Sequence, residues 1–165
     1  MQQDVYPNLT LPLGVSGDQI LFTSHVLAHF AAHRQRRWWQ AEAGGQLFAS
    51  ITGHVATIEV ATGPRRSDRR FPFRYIPDTK KETEEIALMY ERGLHYVGEW
   101  HTHPERSPRP SWQDIETLQS CFRESKHDLN AFLLVVVGRD PMPAGLFVAA
   151  VDGRGVYVLF PPPSP

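Results

Sequence analysis

The sequence is poor in the features that mark specialised classes of protein. Its 165 residues contain one cysteine, Cys121, which excludes an internal disulfide framework and every zinc site that needs several cysteines. The first residues lack the basic and apolar regions of a signal peptide, and no run approaches the ~20 apolar residues of a membrane-spanning helix. The formal net charge of -1 lacks the basic excess typical of nucleic-acid binders. We therefore expect a cytoplasmic protein that binds neither nucleic acid nor a membrane.

The order of the hydrophobic patterns predicts a mixed α/β fold. Apolar residues recur with helical spacing in some segments and alternate or cluster as in strands elsewhere. Helices are predicted over 20–39 (capped by Thr23 or Ser24), 78–93 and 111–125, and strands over 46–52, 54–62, 94–101, 131–137, 146–151 and 155–160. Because the two types do not alternate strictly, we expect an α+β-like single domain with a mixed central β-sheet flanked by helices.

The domain is predicted to span residues 20–160. Residues 1–19 are rich in proline and glycine and are predicted to form a loosely packed N-terminal extension, whereas residues 161–165 form a proline-rich tail. Residues 63–77, called the arginine segment below, are predicted to form a loop or an edge strand. This segment contains five arginines: Arg65, Arg66, Arg69, Arg70 and Arg74.

Two histidines follow one another closely at the end of the predicted strand over 94–101. His101 and His103 are two residues apart, so in a strand their side chains share a face, ~7 Å apart at the backbone. Pro104 cannot continue the strand ladder, which leaves both imidazoles at a sheet edge that a substrate can reach. Such a pair can bind one zinc ion, although most pairs with this spacing are incidental.

A short motif that begins at Ser111 can complete this site. Ser111 is predicted to cap a helix, which places Asp114 in the first turn beside it. Taken alone, Ser-x-x-Asp is far more often a helix cap than part of a metal site. Two histidines and one carboxylate, however, leave the fourth position of a zinc ion open for water, which is typical of a catalytic site. Chance produces the joint string in about one chain per thousand of this composition.

These residues resemble the motif of a known family. His101-Thr102-His103-Pro104, followed by Ser111 and Asp114, is similar to the JAMM motif of the JAB1/MPN/Mov34 metalloproteases. Glu42, followed by Gly44-Gly45-Gln46-Leu47-Phe48, resembles the glutamate that precedes a glycine and a strand in that family. The resemblance implies the MPN/JAB fold over the predicted domain.

The resemblance also implies a set of roles at the site. His101, His103 and Asp114 would bind one zinc ion, Glu42 would act as general acid and base, and Ser111 would donate a hydrogen bond to the oxyanion. The reaction would be hydrolysis of an amide or isopeptide bond without a covalent enzyme intermediate. Trp112, in the first turn of the same predicted helix, can shape the substrate groove.

Glu99 is an alternative candidate for the base. It lies two residues before His101 and shares its face of the predicted strand, so the local pattern slightly favours it. The family resemblance favours Glu42. If Glu42 is not the base, it is expected to be a solvated carboxylate at the end of a helix. If Glu99 is not the base, it is expected to be a supporting or surface acid.

Several other features have ordinary structural interpretations. His25, His29 and His33 recur every four residues and most simply form an incidental stripe on the first helix, and Cys121 most simply a half-buried structural thiol. The arginine segment is equally consistent with a solvated loop and with a site for an acidic partner or a substrate tail. Trp100 is expected in the core, whereas Trp38-Trp39 can be either core or a binding patch.

In its length and in these motifs, the chain most resembles the small bacterial JAB proteins of antiphage operons, which include the deconjugating peptidase of CBASS systems. This resemblance implies cleavage after the C-terminus of a cGAS-like nucleotidyltransferase joined to a lysine, in the bacterial cytoplasm. The alternatives are a deconjugating or processing protease for a ubiquitin-like or sulfur-carrier protein, a non-catalytic MPN scaffold that binds proteins, and a metal-binding domain of another hydrolase.

Overall fold

A large mixed β-sheet forms the centre of the molecule. The structure, a computed structural model, describes residues 5–162. Its elements are β1 (Leu9–Leu13), β2 (Asp18–Phe22), α1 (Ser24–Ala32), β3 (Gly44–Thr52), β4 (Val55–Ala61), β5 (Arg69–Phe71), β6 (Arg74–Ile76), α2 (Thr79–Glu91), β7 (His95–Thr102), α3 (Trp112–Glu124), β8 (Phe132–Val137), β9 (Leu146–Val151) and β10 (Val156–Phe160).

The strand order in the eight-stranded sheet is β1-β2-β4-β3-β7-β8-β9-β10. Neighbouring strands are antiparallel except for the parallel pairs β2–β4 and β7–β8. The outer strands β1 and β10 contact each other, so the sheet curls. This arrangement confirms the predicted fold class, a mixed sheet with helices.

Helices cover both faces of the sheet. On one face, α1 packs Val26, Leu27 and Phe30 into a core that includes Trp100, and on the other face α3 packs Leu118. Strands β8 and β9 are buried along their whole length, which explains their uninterrupted apolar sequences. Among residues 5–162, no helix is long and apolar enough to cross a membrane.

The first predicted helix is much shorter than expected. Thr23 is confirmed as its N-cap, because its hydroxyl accepts a hydrogen bond from Val26 N at 3.3 Å. The residues before it form β2, where Ile20 and Phe22 alternate into the core. The residues after Ala32 leave the helix, because the side chain of Gln35 turns inward and bonds to other segments.

The prediction of a loosely packed N-terminal extension is wrong for residues 9–13. They form β1, which pairs with β2 in the main sheet. The strand contains Pro12, and an outer strand tolerates a proline, which donates no hydrogen bond to its neighbour. Residues 1–4 and 163–165, which include most of the predicted tail, lie outside the described residues, and the domain bounds stay a prediction.

The arginine segment contains a small hairpin of its own. Strands β5 and β6 pair only with each other, in a two-stranded sheet separate from the main one. The segment is therefore neither an edge strand of the main sheet nor an irregular loop throughout. The other predicted helices and strands agree with the structure to within a few residues. Asp78 is the N-cap of α2, and Ser111 is confirmed as the N-cap of α3.

A bulge in β7 sets which side chains face the site. The register against β3 shifts at Gly98, whose φ of 152° lies in a region that L-residues rarely adopt. A Cβ at Gly98 would lie 2.0 Å from Leu133 O. Beyond the bulge the alternation places Trp100 in the core with α1, while Glu99 and His101 face the other side.

Candidate active site

Three donor atoms converge where β7 ends beside the start of α3. His101 Nε2 lies 3.1 Å from His103 Nε2 and 3.1 Å from Asp114 Oδ2, and His103 Nε2 lies 3.5 Å from the same carboxylate oxygen. A tetrahedral zinc ion with bonds of about 2.0–2.1 Å separates its ligand atoms by about 3.3 Å. The three distances therefore fit the edges of a zinc coordination tetrahedron.

The backbone holds each of the three side chains in place. Thr102 N donates to Ala43 O at 2.8 Å and His103 N donates to Val137 O at 3.0 Å, which fixes the end of β7 between its two neighbouring strands. Asp114 belongs to a capping box: Asp114 N donates to Ser111 Oγ at 3.1 Å, and Ser111 N donates to Asp114 Oδ2 at 2.7 Å.

The electrostatics of the cluster favour a bound cation. Burial alone would raise the pKa of Asp114, but hydrogen bonds with His101 and His103 hold it well below its ordinary range. Of the two ring nitrogens of His103, Nε2 faces the other two donor atoms, while within residues 5–162 the buried Nδ1 has no hydrogen-bond partner. Two imidazole nitrogens and a carboxylate are a donor set that suits zinc, and the residues predicted as its ligands are the ones that the fold brings together.

Glu42 lies next to this cluster because of the pairing between β3 and β7. The register pairs Gly44 with His101, so the chain two residues before Gly44 lies beside His103. Glu42 is 7% exposed. Burial raises its pKa to about 7, against the opposing influence of His101 and His103. The alternative of a solvated carboxylate at a helix end is therefore wrong: Glu42 is buried and follows an irregular segment.

Comparison with known proteins supports the same family. The family model for prokaryotic homologs of the JAB domain matches residues 23–149, a range that contains Glu42 and the His101, His103, Ser111 and Asp114 motif. The chain belongs to this prokaryotic JAB family. Membership confirms the predicted JAMM-type protease, while the roles of single residues stay predictions.

Bacterial proteins are among the relatives of this JAB chain. A Pseudomonas aeruginosa protein named CD-NTase/cGAS isopeptidase is 34% identical over 146 residues, which cover 86% of this chain and 88% of the relative. A probable metalloprotease of Sinorhizobium fredii is 33% identical over 53% of this chain and 56% of its own length. A solution structure from Desulfitobacterium hafniense shares the fold, with a TM-score of 0.58 and 19% identity over 83% of this chain and 87% of its own.

Glu99 is held differently from Glu42. Its carboxylate accepts a hydrogen bond from Tyr96 Oη at 3.2 Å, and burial raises its pKa despite this bond. No hydrogen bond holds the carboxylate of Glu42 within the part of the JAB chain that the structure describes. A carboxylate that shuttles a proton has to reach two different atoms in turn, so the freer Glu42 suits that role better.

Gln35 is a residue at the site that the sequence did not reveal. Its side chain is 1% exposed, and its Nε2 donates to Gln40 O at 2.7 Å and to Pro72 O at 3.0 Å. Its Oε1 accepts from Thr102 Oγ1 at 2.8 Å, and that hydroxyl in turn accepts from Ala43 N at 2.9 Å. Gln35 thus links the end of β7 to the segment that carries Glu42.

The hairpin formed by β5 and β6 holds Glu42 from the other side. Arg70 Nε donates to Glu42 O at 2.6 Å, and Glu42 N donates to Phe71 O at 2.8 Å. Tyr75 packs so closely on β3 that a Cβ at Gly44 would lie 2.7 Å from its ring. Arg65 forms a partly buried ion pair with Glu85 at 2.6 Å. Part of the arginine segment is therefore structural.

The histidine stripe on α1 also has structural contacts. His29 Nε2 lies 2.8 Å from Gly63 O and His33 Nδ1 lies 2.8 Å from His29 O, while both rings pack against Trp100. Cys121 is partly buried, and burial raises the pKa of its thiol. These positions agree with the structural interpretations of both features.

The tryptophans divide between core and surface. Trp100 is buried as predicted, whereas Trp38 and Trp39 are exposed, so the core alternative for that pair is wrong. Trp112 is also exposed, beside the Ser111 cap. Its exposed ring is available to a substrate, as its predicted role in a groove requires.

Proposed function

We propose that this chain is a zinc-dependent isopeptidase that hydrolyses the amide or isopeptide bond after the C-terminus of a conjugated protein. The observation that carries the proposal is the convergence of His101, His103 and Asp114 beside the buried Glu42. The name of the Pseudomonas aeruginosa relative supports a cGAS-like nucleotidyltransferase as the conjugated protein. The single cysteine agrees with a reducing compartment, and we place the activity in the bacterial cytoplasm.

The proposed mechanism assigns the proton transfers to Glu42. When bound by the two histidines and Asp114, zinc supplies Lewis acidity that activates water and polarises the substrate carbonyl. Glu42 accepts the proton of the attacking water as the new C–O bond forms. It then donates this proton to the amine nitrogen as the C–N bond breaks, which leaves a carboxylate on one product and a free amine on the other.

Ser111 is proposed to stabilise the negative charge that develops on the carbonyl oxygen. Its Oγ already accepts a hydrogen bond from Asp114 N, so the lone pairs of the hydroxyl are partly engaged and its hydrogen is free to donate elsewhere. A donor fixed in this way needs little reorganisation when the oxyanion forms. Trp112 would line the groove that binds the flanking polypeptide.

The proposal is tested by a cleavage assay on a panel of fusions. Each fusion joins the C-terminal segment of a cGAS-like enzyme, a ubiquitin-like protein or a sulfur carrier to a reporter. Wild-type protein is compared with Glu42→Gln, Glu99→Gln and a sample treated with a chelator. We expect cleavage at the cGAS-like junction, lost on chelation and lowered about 10²–10⁴-fold by Glu42→Gln with the zinc content unchanged.

Three results would overturn parts of the proposal. Preferred cleavage of another fusion would replace the substrate, and a loss of activity in Glu99→Gln instead of Glu42→Gln would replace the base. Failure to cleave every fusion by protein that contains zinc would favour a binding role.

A further inference from the structure

The surface beside Glu42 carries an unusual distribution of charge. No aspartate or glutamate occurs between Asp18 and Glu42, whereas Arg34, Arg36 and Arg37 fall within that stretch. The stretch between these two acids is therefore strongly basic, although the net charge of the whole chain is -1. The structure places residues 36–40 on the surface, in the irregular segment between the end of α1 and Glu42.

This region continues into the hairpin of the arginine segment. The side chain of Gln35 donates hydrogen bonds to the carbonyl oxygens of Gln40 and Pro72, and the backbone N–H of Glu42 donates to Phe71 O. A cleft between the two segments is lined by Ala32, His33, Arg34, Gln40, Ala41 and Arg70, with no carboxylate among them. The two segments together form what we call the basic-aromatic surface: Arg36, Arg37, Trp38, Trp39, Arg69, Arg70, Phe71, Phe73 and Arg74.

The arginines of this surface are not neutralised by carboxylates of the same chain. Asp68 is the one acid in the arginine segment, and its buried carboxylate already accepts hydrogen bonds from Arg65 N and Tyr75 Oη. Within residues 5–162, the ion pairs involve neither Arg36 and Arg37 nor the exposed arginines of the hairpin. Their positive charge is therefore available to a partner.

Large aromatic side chains are exposed among these arginines. Trp38 is 65% exposed, Trp39 54% and Phe73 72%. Trp38 and Trp39 pack edge to face with ring centroids 5.8 Å apart, and the guanidinium of Arg37 lies 5.2 Å from the Trp39 ring. Exposed tryptophan clustered with arginine is the composition of interaction hot spots between proteins.

We infer that the basic-aromatic surface is a docking site for an acidic segment of the protein substrate. This inference rests on the proposed function, because the surface joins the backbone of Glu42 directly and an occupant would lie beside the bond to be cleaved. Both flanks of that bond are polypeptide, which favours an acidic polypeptide over a nucleic acid. The carboxylates of the segment would pair with the arginines while its apolar side chains pack on the tryptophans.

The test measures binding and does not depend on catalysis. Fluorescence anisotropy compares a labelled glutamate-rich peptide that contains a few leucines, the same peptide with glutamine at every glutamate, and a labelled single-stranded oligonucleotide. The full-length protein is used as wild type, as Arg36→Glu/Arg37→Glu and as Trp38→Ala/Trp39→Ala. Arg154→Glu, a single exposed charge reversal in the turn between β9 and β10, is the control away from this surface.

We expect the acidic peptide to bind at least about tenfold more tightly than its glutamine counterpart, and more weakly as salt rises from about 50 to about 200 mM. Each double variant should lower the affinity about tenfold or more, whereas Arg154→Glu should not change it.

Equal binding of the two peptides, or unchanged binding by Arg36→Glu/Arg37→Glu, would overturn the inference. Tighter binding of the oligonucleotide, with displacement of the peptide, would assign the surface to nucleic acid instead. Failure of every fusion in the cleavage assay would leave these binding results intact.

Discussion

Glu42 and Gln35 are buried polar residues with opposite relations to their surroundings. Gln35 uses both of its amide hydrogens and its oxygen on fixed partners, whereas no hydrogen bond within residues 5–162 holds the carboxylate of Glu42. A buried polar group with complete partners stabilises one arrangement of the chain, whereas a carboxylate that no hydrogen bond holds is free to move a proton between two atoms. This difference suits Gln35 to holding the site in place and Glu42 to transferring protons.

Replacing Gln35 by leucine is expected to lower the free energy of unfolding by about 3 kcal/mol. The change removes the donor for the carbonyls of Gln40 and Pro72 and the acceptor for the Thr102 hydroxyl, all three of which lie in the same small network. Denaturant unfolding of Gln35→Leu and of Gln19→Leu, an exposed glutamine on β2, measures the effect. Equal stability of the two variants would contradict the importance assigned to this network.

Among the secondary-structure elements, β7 contributes most to the site. The bulge at Gly98 changes the phase of the strand, so that Glu99 and His101 face one side and Trp100 the other. Without the extra residue, strict alternation from the start of β7 would place the histidines on the opposite face. This bulge therefore determines whether the ligand pair and α3 lie on the same side of the sheet.

Gly98→Ala is expected to destabilise the protein by at least about 3 kcal/mol. The new Cβ would clash with Leu133 O, a backbone atom that cannot move without disturbing the parallel pairing of β7 with β8. Gly153→Ala is the matched control, because its Cβ would meet no backbone atom and only the side chains of Arg123, at 3.3 Å, and Phe122, at 3.9 Å. Chemical denaturation of both variants checks the difference, and similar midpoints would refute the argument.

The elements that could be predicted from sequence are those fixed by local chemistry. His101 and His103 follow from strand alternation, and Ser111 and Asp114 follow from helix capping, each within a few residues of chain. Glu42 needed a family resemblance, because its position depends on the register between β3 and β7. The alternation of leucines in β1 is obscured by Pro12 and by the glycines that follow it. The inward turn of Gln35 has no local signal, because it depends on partners distant in sequence.

At the scale of the whole molecule, the site lies where central elements meet. His101 is on β7, between β3 and β8, and His103 directly follows that strand, while the opposite faces of the sheet are covered by α1 and α3. Central strands open less readily than outer strands and loops do. The candidate ligands are therefore supported by the most stable part of the fold, and binding of an ion there should stabilise the entire domain.

Zinc is expected to raise the global stability, and the gain should grow with the logarithm of its free concentration above the dissociation constant. At a free concentration about 100 times the dissociation constant, a ligand that binds only the folded state adds about 2.7 kcal/mol. Thermal unfolding of wild-type protein with chelator and with added zinc should show this gain, and His103→Asn should lack it. The exposed Asp128→Asn should retain the gain. A gain of the same size in His103→Asn would place the zinc elsewhere.

Because of the capping box of α3, one carboxylate oxygen of Asp114 has two roles. The oxygen that would bind the metal also accepts the hydrogen bond of Ser111 N, so its rotamer is selected when the helix forms and not when an ion arrives. Uptake of the ion then freezes little additional motion, which favours tight binding. A change at Asp114 should accordingly loosen the onset of α3 as well as weaken metal uptake. Amide hydrogen exchange in that first turn would distinguish the two losses.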